Sequence, residues 1–172
     1  MPNFEVFKLP PADWRLYKQI RLESLTEAPQ AFISSYAETL LRPDSHWKER
    51  LIDAQAGEKS WLLFARENDR ITGMVGAYHT EDSGTVDIIS VYVTKEKRGQ
   101  GIASALMAAI LAEVARSGDF RTARLAVTAS QTAALALYQK FGFQIVTETT
   151  GVMGDGVSHA GYIMQVELAG PV

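Results

Sequence analysis

Thr94-Lys95-Glu96-Lys97-Arg98-Gly99-Gln100-Gly101-Ile102-Ala103-Ser104 gathers two glycines and three cations immediately before an apolar run. The first amides of a helix have no intrahelical partner, and the helix dipole leaves partial positive charge there. Glycine lets the backbone approach a ligand closely and adopt positive φ. The chemistry this pattern can do is to hold an anion, a pyrophosphate above all. From spacing alone it equally describes a plain strand-to-helix turn with a solvated basic edge. Two stricter phosphate loops are excluded. Ile102-Ala103 follows Gly101 where a P-loop needs Lys-Ser/Thr. A dinucleotide fingerprint needs a third glycine, which is missing, and three strands precede the loop.

Other reactive side chains carry less by themselves. Tyr138 falls on the apolar stripe Ala134, Leu137, Tyr138, Phe141 and reads there as a packed aromatic. Asp87 reads as a strand-start aspartate facing solvent. Glu23, Glu27 and Glu38, with Phe32 and Tyr36, either attract a cationic amine or belong to ordinary helix surfaces. His46, His79 and His159 have no ligand spacing, so no metal is expected. Ser24, Ser34 and Ser35 lack a His/Asp arrangement for hydrolysis.

Positioning the loop requires the elements around it. A short strand at Phe4 and Val6 ends at Pro10-Pro11, and a helix starts near Asp13 with Trp14, Tyr17, Ile20, Arg21, Ser24 and Leu25 at helical spacing. Pro43 suits the first turn of a second helix carrying Trp47, Leu51 and Ile52. Ser60 to Arg66 and Ile71 to His79 form a hairpin around Glu67-Asn68-Asp69. Thr85 to Thr94 is apolar on both alternating sets, as in a strand covered on both faces. A helix (Ile102 to Arg116), a strand (Ala123 to Thr128), a helix (Thr132 to Phe141) and two strands (Phe143 to Val152, Gly161 to Leu168) follow. The order β-α-α-β-β-β-α-β-α-β-β implies one mixed α/β domain over residues 1–172, with roughly parallel pairing in its βα units.

Val93 followed by Arg98-Gly99-Gln100-Gly101-Ile102-Ala103 resembles motif A of the GNAT acetyltransferases, with Arg98, Gly101 and Ala103 at its defined positions. Ala134-Leu135-Ala136-Leu137-Tyr138-Gln139-Lys140-Phe141-Gly142-Phe143 resembles motif B, and the element order matches over nearly the whole chain. The stretch Pro10 to Gln55 matches poorly, where acceptor specificity usually resides. The resemblance implies the GNAT fold, one mixed sheet of about seven strands with helices on both faces. It implies transfer of an acetyl group from acetyl-CoA to an amine. Val91, Tyr92 and Val93 would pair with the pantetheine arm through freed backbone, and one N–H would stabilise the oxyanion. Arg98, Gly99, Gln100, Gly101, Ile102, Ala103 and Ser104 would hold the phosphates, and Ala134 would line the same site. Gln131 replaces the asparagine many members have there, keeping the amide with a longer reach. Lys140 is either a phosphate contact or a solvated helix-end lysine. Tyr138 would protonate the departing thiolate. Asp87, a methylene shorter than the family's glutamate, would act as base through water. Homodimerisation through C-terminal edge strands also follows from the resemblance, and a non-catalytic acyl-CoA-binding module is the alternative function.

The chain has 172 residues, 47% apolar and 22% charged, enough for one domain with a real core. A formal net charge of −3 offers no basic face for nucleic acid. With no cysteine, disulfides, thiolate metal sites and cysteine nucleophiles are excluded. No signal peptide and no bilayer-spanning run is read, so the expected setting is cytoplasmic, away from membranes.

Overall fold

Asn68 and Asp69 both take left-handed backbone (φ 49° and 43°), the twist that a two-residue hairpin link needs. They join β2 (Ser60–Glu67) to β3 (Arg70–His79) in antiparallel register. The computed structural model describes residues 2–82 and 84–169. Around the hairpin lie β1 (Glu5–Phe7), β4 (Thr85–Val93), β5 (Thr122–Thr128), β6 (Gln144–Val152) and β7 (Ser158–Glu167). The helices are α1 (Trp14–Glu27), α2 (Tyr36–Leu40), α3 (Asp44–Ala56), α4 (Ile102–Arg116) and α5 (Thr132–Lys140). One sheet runs in the order β1-β2-β3-β4-β5-β7-β6, so the mixed seven-stranded sheet expected from the sequence is present.

Alternation along β2 and β3 divides the core into two layers. Trp61, Leu63, Val75 and Ala77 face α4, whose Leu106, Met107, Ile110 and Val114 are fully buried against them. Each such side chain contributes roughly 1.5–3 kcal/mol by leaving water. Leu62, Phe64 and Met74 face the opposite layer, with Tyr17 of α1 and Trp47 of α3 meeting edge-on at 5.1 Å. Helices therefore cover both faces.

Four details differ from the sequence expectation. The short α2 is additional, started by Ser35, whose Oγ accepts from the Glu38 N–H. Pro43 is the cap before α3 rather than a residue of its first turn. β7 begins at Ser158 and inserts between β5 and β6, so only β4 and β5 pair in parallel. Finally, β4 is not fully covered: Val86, Ile88, Tyr92 and Val93 are buried, while Ile89 and Val91 are partly exposed because clefts open beside them. Among the described residues, no helix is long and apolar enough to cross a membrane.

Candidate active site

β4 and β5 begin as neighbours and then part. Their pairing runs only from Thr85↔Thr122 to Asp87↔Arg124. Beyond it β5 stays paired with β7 as far as Thr128, so the β4 backbone from Ile88 to Val93 has no ladder partner on that side. The parting coincides with a β-bulge. Gly76 pairs with Ile89 and Met74 with Tyr92, leaving Ser90 and Val91 opposite Val75 alone. Ser90 takes φ 57°, a left-handed conformation uncommon for a residue with a side chain. One extra residue inverts the alternation: Val86 and Ile88 face α4 before the bulge, Val91 and Val93 after it.

Two clefts open at this parting, and both have Ala31 and Phe32 in their walls. The first, about 420 Å³, runs from Val91–Val93 past the glycine loop to α5. Gly99 (φ 76°) and Gly101 (φ 85°) both need left-handed backbone, and a Cβ on either would meet open space. Gly101 caps α4 without any side-chain cap, which leaves the helix's first amides free for an anion. Of the residues expected to bind coenzyme, Val91, Tyr92, Val93, Arg98, Gly99, Gly101, Ile102, Ala103, Ser104, Gln131, Ala134 and Tyr138 line this cleft. Gln100 does not; its amide instead donates to the Glu96 carbonyl at 3.4 Å. Lys140 is also outside the lining.

Tyr138 enters the cleft because α5 ends where it does. Gly142 (φ 88°) reverses the chain, and the Phe143 N–H donates to the Tyr138 carbonyl at 3.1 Å. The Phe143 ring then packs against Tyr138 at 6.1 Å. Burial pushes the Tyr138 hydroxyl well above the ordinary tyrosine range, so it keeps its proton.

Glu27 is a site residue whose place the sequence did not reveal. It accepts from the Tyr92 hydroxyl and from Arg98 Nη2, while Tyr92 also donates to Glu23 at 3.2 Å. Arg98 Nε donates to the Val93 carbonyl at 3.1 Å. The C-terminal end of α1 is thereby tied to β4 and to the loop. Burial first, then the hydrogen bond to Glu27, raises the Tyr92 pKa far above its usual value. Glu23 and Glu27 are thus committed to protein partners, and Glu38 closes a capping box with Ser35. Of these acids Glu27 lines the first cleft, and none of the three lines the second.

That second cleft, about 480 Å³, is floored by Ile88–Ser90 and bounded by β5, β6 and β7. Its roof is fixed by close backbone approach: the Gly154 N–H donates to the Phe32 carbonyl at 2.6 Å. A Cβ on Gly154 would come within 2.3 Å of the Ser34 carbonyl oxygen. Arg21 and His159 line the cleft, and among the described residues no carboxylate does. His159 Nε2 lies 2.7 Å from Asp155 Oδ2. Asp87 lines neither cleft. Arg124 holds it with Nε at 2.8 Å and Nη2 at 3.3 Å, one hydrogen bond to each carboxylate oxygen. Among the described residues no group of acids and histidines could hold a metal.

Residues 22–143 match the family model described as Acetyltransferase (GNAT) family. The chain belongs to this family. N-acetylaspartate synthetase of Danio rerio is 32% identical over 117 residues, covering 68% of this chain and 40% of that protein. This chain spans less than half the length of the curated relatives it matches. In fold it is similar to a GNAT-family acetyltransferase of Streptococcus pneumoniae, with TM-score 0.80 and 19% identity over 96% of this chain and 99% of that one. It is also similar to a Salmonella typhimurium acetyltransferase solved with its cofactor acetyl-CoA. There the TM-score is 0.81 and the identity 18%, over 98% and 96% of the two chains.

Proposed function

We propose that this protein transfers the acetyl group of acetyl-CoA to a primary amine by direct attack. The observation that carries the reading is the parting of β4 from β5, with the glycine loop and Tyr138 on one side and a separate cleft on the other. The unpaired β4 backbone offers hydrogen bonds to a pantetheine amide. The uncapped start of α4 offers N–H groups to its phosphates, with Arg98 and Lys97 at the rim.

The amine enters from the second cleft. Its nitrogen forms the C–N bond to the acetyl carbonyl carbon, the C–S bond breaks, and the electron pair leaves on sulfur. Tyr138, kept protonated by burial, gives its proton to that sulfur. The proton lost by the amine goes to His159, directly or through water. With Asp155 accepting from Nε2–H, the lone pair stays on Nδ1, the arrangement a base requires. We further propose a homodimer formed along β6, a sheet edge exposed at every residue despite Ile145, Val146 and Val152.

Thiol release from acetyl-CoA across an amine panel tests the transfer. Binding of acetyl-CoA without release from any amine would favour the acyl-CoA-binding module instead. Light scattering in solution tests the dimer, and a monomer at all concentrations rejects it.

A further inference from the structure

Arg21 stands apart from every other side chain in the second cleft. It sits on α1, and its guanidinium carbon lies 4.9 Å over the Phe32 ring, in the wall shared by the two clefts. Nη1 is buried without a hydrogen-bond partner, and among the described residues Arg21 forms no ion pair. Burial works against its charge, Tyr17 offsets part of this, and Arg50 nearby is another cation acting with the burial. A guanidinium cannot escape by losing its proton. A cation taken out of water and left without a counter-charge is costly, and proteins pair such groups. Among the described residues no acid pairs with it; Glu23 and Glu27 of the same helix turn to Tyr92 and Arg98 instead.

We infer that the acceptor supplies the missing anion: its carboxylate docks on Arg21, and the amine that is acetylated belongs to an amino acid or a similar carboxylate-bearing amine. The inference rests on the transferase reading above. The planar fork of arginine matches a carboxylate through two parallel hydrogen bonds, which orients the molecule as well as holding it. Much of the lining, Ile33, Ile89, Val152, Met153 and Ile163 among it, is apolar and favours an apolar side chain on that acceptor. The carboxylate takes no part in bond making. It fixes where the amine stands while the C–N bond forms and the C–S bond breaks.

The experiment compares matched trios of acceptors by thiol release: each common L-amino acid, its carboxamide and its decarboxylated amine. Leucine, leucinamide and isopentylamine form one such trio. For at least one trio the acid is expected to exceed the amide and the amine by about tenfold or more in kcat/KM, because only the acid pairs the cation. Arg21→Met keeps an apolar stem against Phe32 and is expected to erase that preference through KM, with acetyl-CoA affinity by calorimetry unchanged. Arg21→Gln serves as the second variant. Amides or plain amines used as well as the acids by the wild type, or a preference that survives both variants, would overturn the assignment while leaving the transferase intact. Thermal shift with the same acids separates the remaining outcomes. Acids that raise the melting temperature of the wild type but not of Arg21→Gln, with no thiol released, would support the Arg21 site and remove the transferase reading. Neither release nor shift from any acid would overturn both.

Discussion

Asp87 and Arg124 face each other across the last pairing of β4 with β5, and the guanidinium reaches both oxygens of the carboxylate. The same arginine holds Asp82 at 2.9 Å. The pair stands where the two strands stop being neighbours, and it clasps the narrow end of the opening.

Asp87→Asn therefore loses a clasp rather than a base. It is expected to lower unfolding stability by about 1.5–3 kcal/mol, the range for hydrogen bonds to charged groups. Turnover should stay within about tenfold, whereas removal of a general base costs about a hundredfold or more. Urea denaturation and thiol release check the two quantities on one sample.

Tyr138→Phe removes the proton donor and keeps the ring against Phe143. We expect turnover to fall by about a hundredfold. Acetyl-CoA affinity by calorimetry stays nearly unchanged, because the ring's share of the cleft wall is preserved. Unchanged turnover at every pH would remove Tyr138 from the mechanism.

The alkaline limit of the fold follows from Tyr138 and Tyr92. Both are buried, and both have pKa values raised above the ordinary 10.0. The unfolded chain releases these protons near pH 10 while the folded chain retains them, so their contribution is intact below about pH 10 and lost above it. Urea midpoints measured upward from neutral pH should hold steady and then fall beyond that point. The fall should be shallower in Tyr138→Phe.

Gly101→Ala and Gly101→Asp separate conformation from charge. Alanine at φ 85° costs about 1–2 kcal/mol of stability, with the cradle still open. Aspartate adds a negative charge where the free amides face the ligand. It should weaken acetyl-CoA binding by about tenfold or more beyond the alanine variant. Calorimetric titration decides it; equal affinities would refute the phosphate cradle.

His159→Gln keeps a polar side chain of similar reach but cannot accept a proton from the amine. Turnover should fall by about a hundredfold with acetyl-CoA affinity unchanged, as read by thiol release and calorimetry. Turnover identical to the wild type would assign the proton to bulk water.

The sequence made the first cleft legible because its walls are built from local chemistry. Gly99, Gly101 and the apolar run after Ile102 announce a strand, a turn and a helix start within a few residues. Gly142-Phe143 likewise marks the end of α5. What stayed hidden depends on pairs distant in sequence. Glu27 meets Tyr92 and Arg98 only after α1 folds across the sheet. Arg124 meets Asp87 only through parallel pairing. The insertion of β7 between β5 and β6 leaves no trace in alternation, because an antiparallel neighbour on either side demands the same pattern. Arg21 falls at the helical spacing of Tyr17, Ile20 and Leu25, and nothing local sets it apart until the cleft beside it is seen, among the described residues, to hold no acid.

The bulge at Ser90 acts as a phase shift in the strand. Up to Ile88 the even-numbered side chains look toward α4; from Val91 onward the odd-numbered ones do. The same residues run through this point without the bulge would hold the whole strand in a single phase, turning Tyr92 away from Glu23 and Glu27 and swinging Val93 out of the α4 layer. The glycine loop hangs from Val93 through Arg98 and would rotate with it. The left-handed turn at Ser90 is thus an angular setting as much as a length, and straightening it alters the aim of the glycine loop without touching one of its residues.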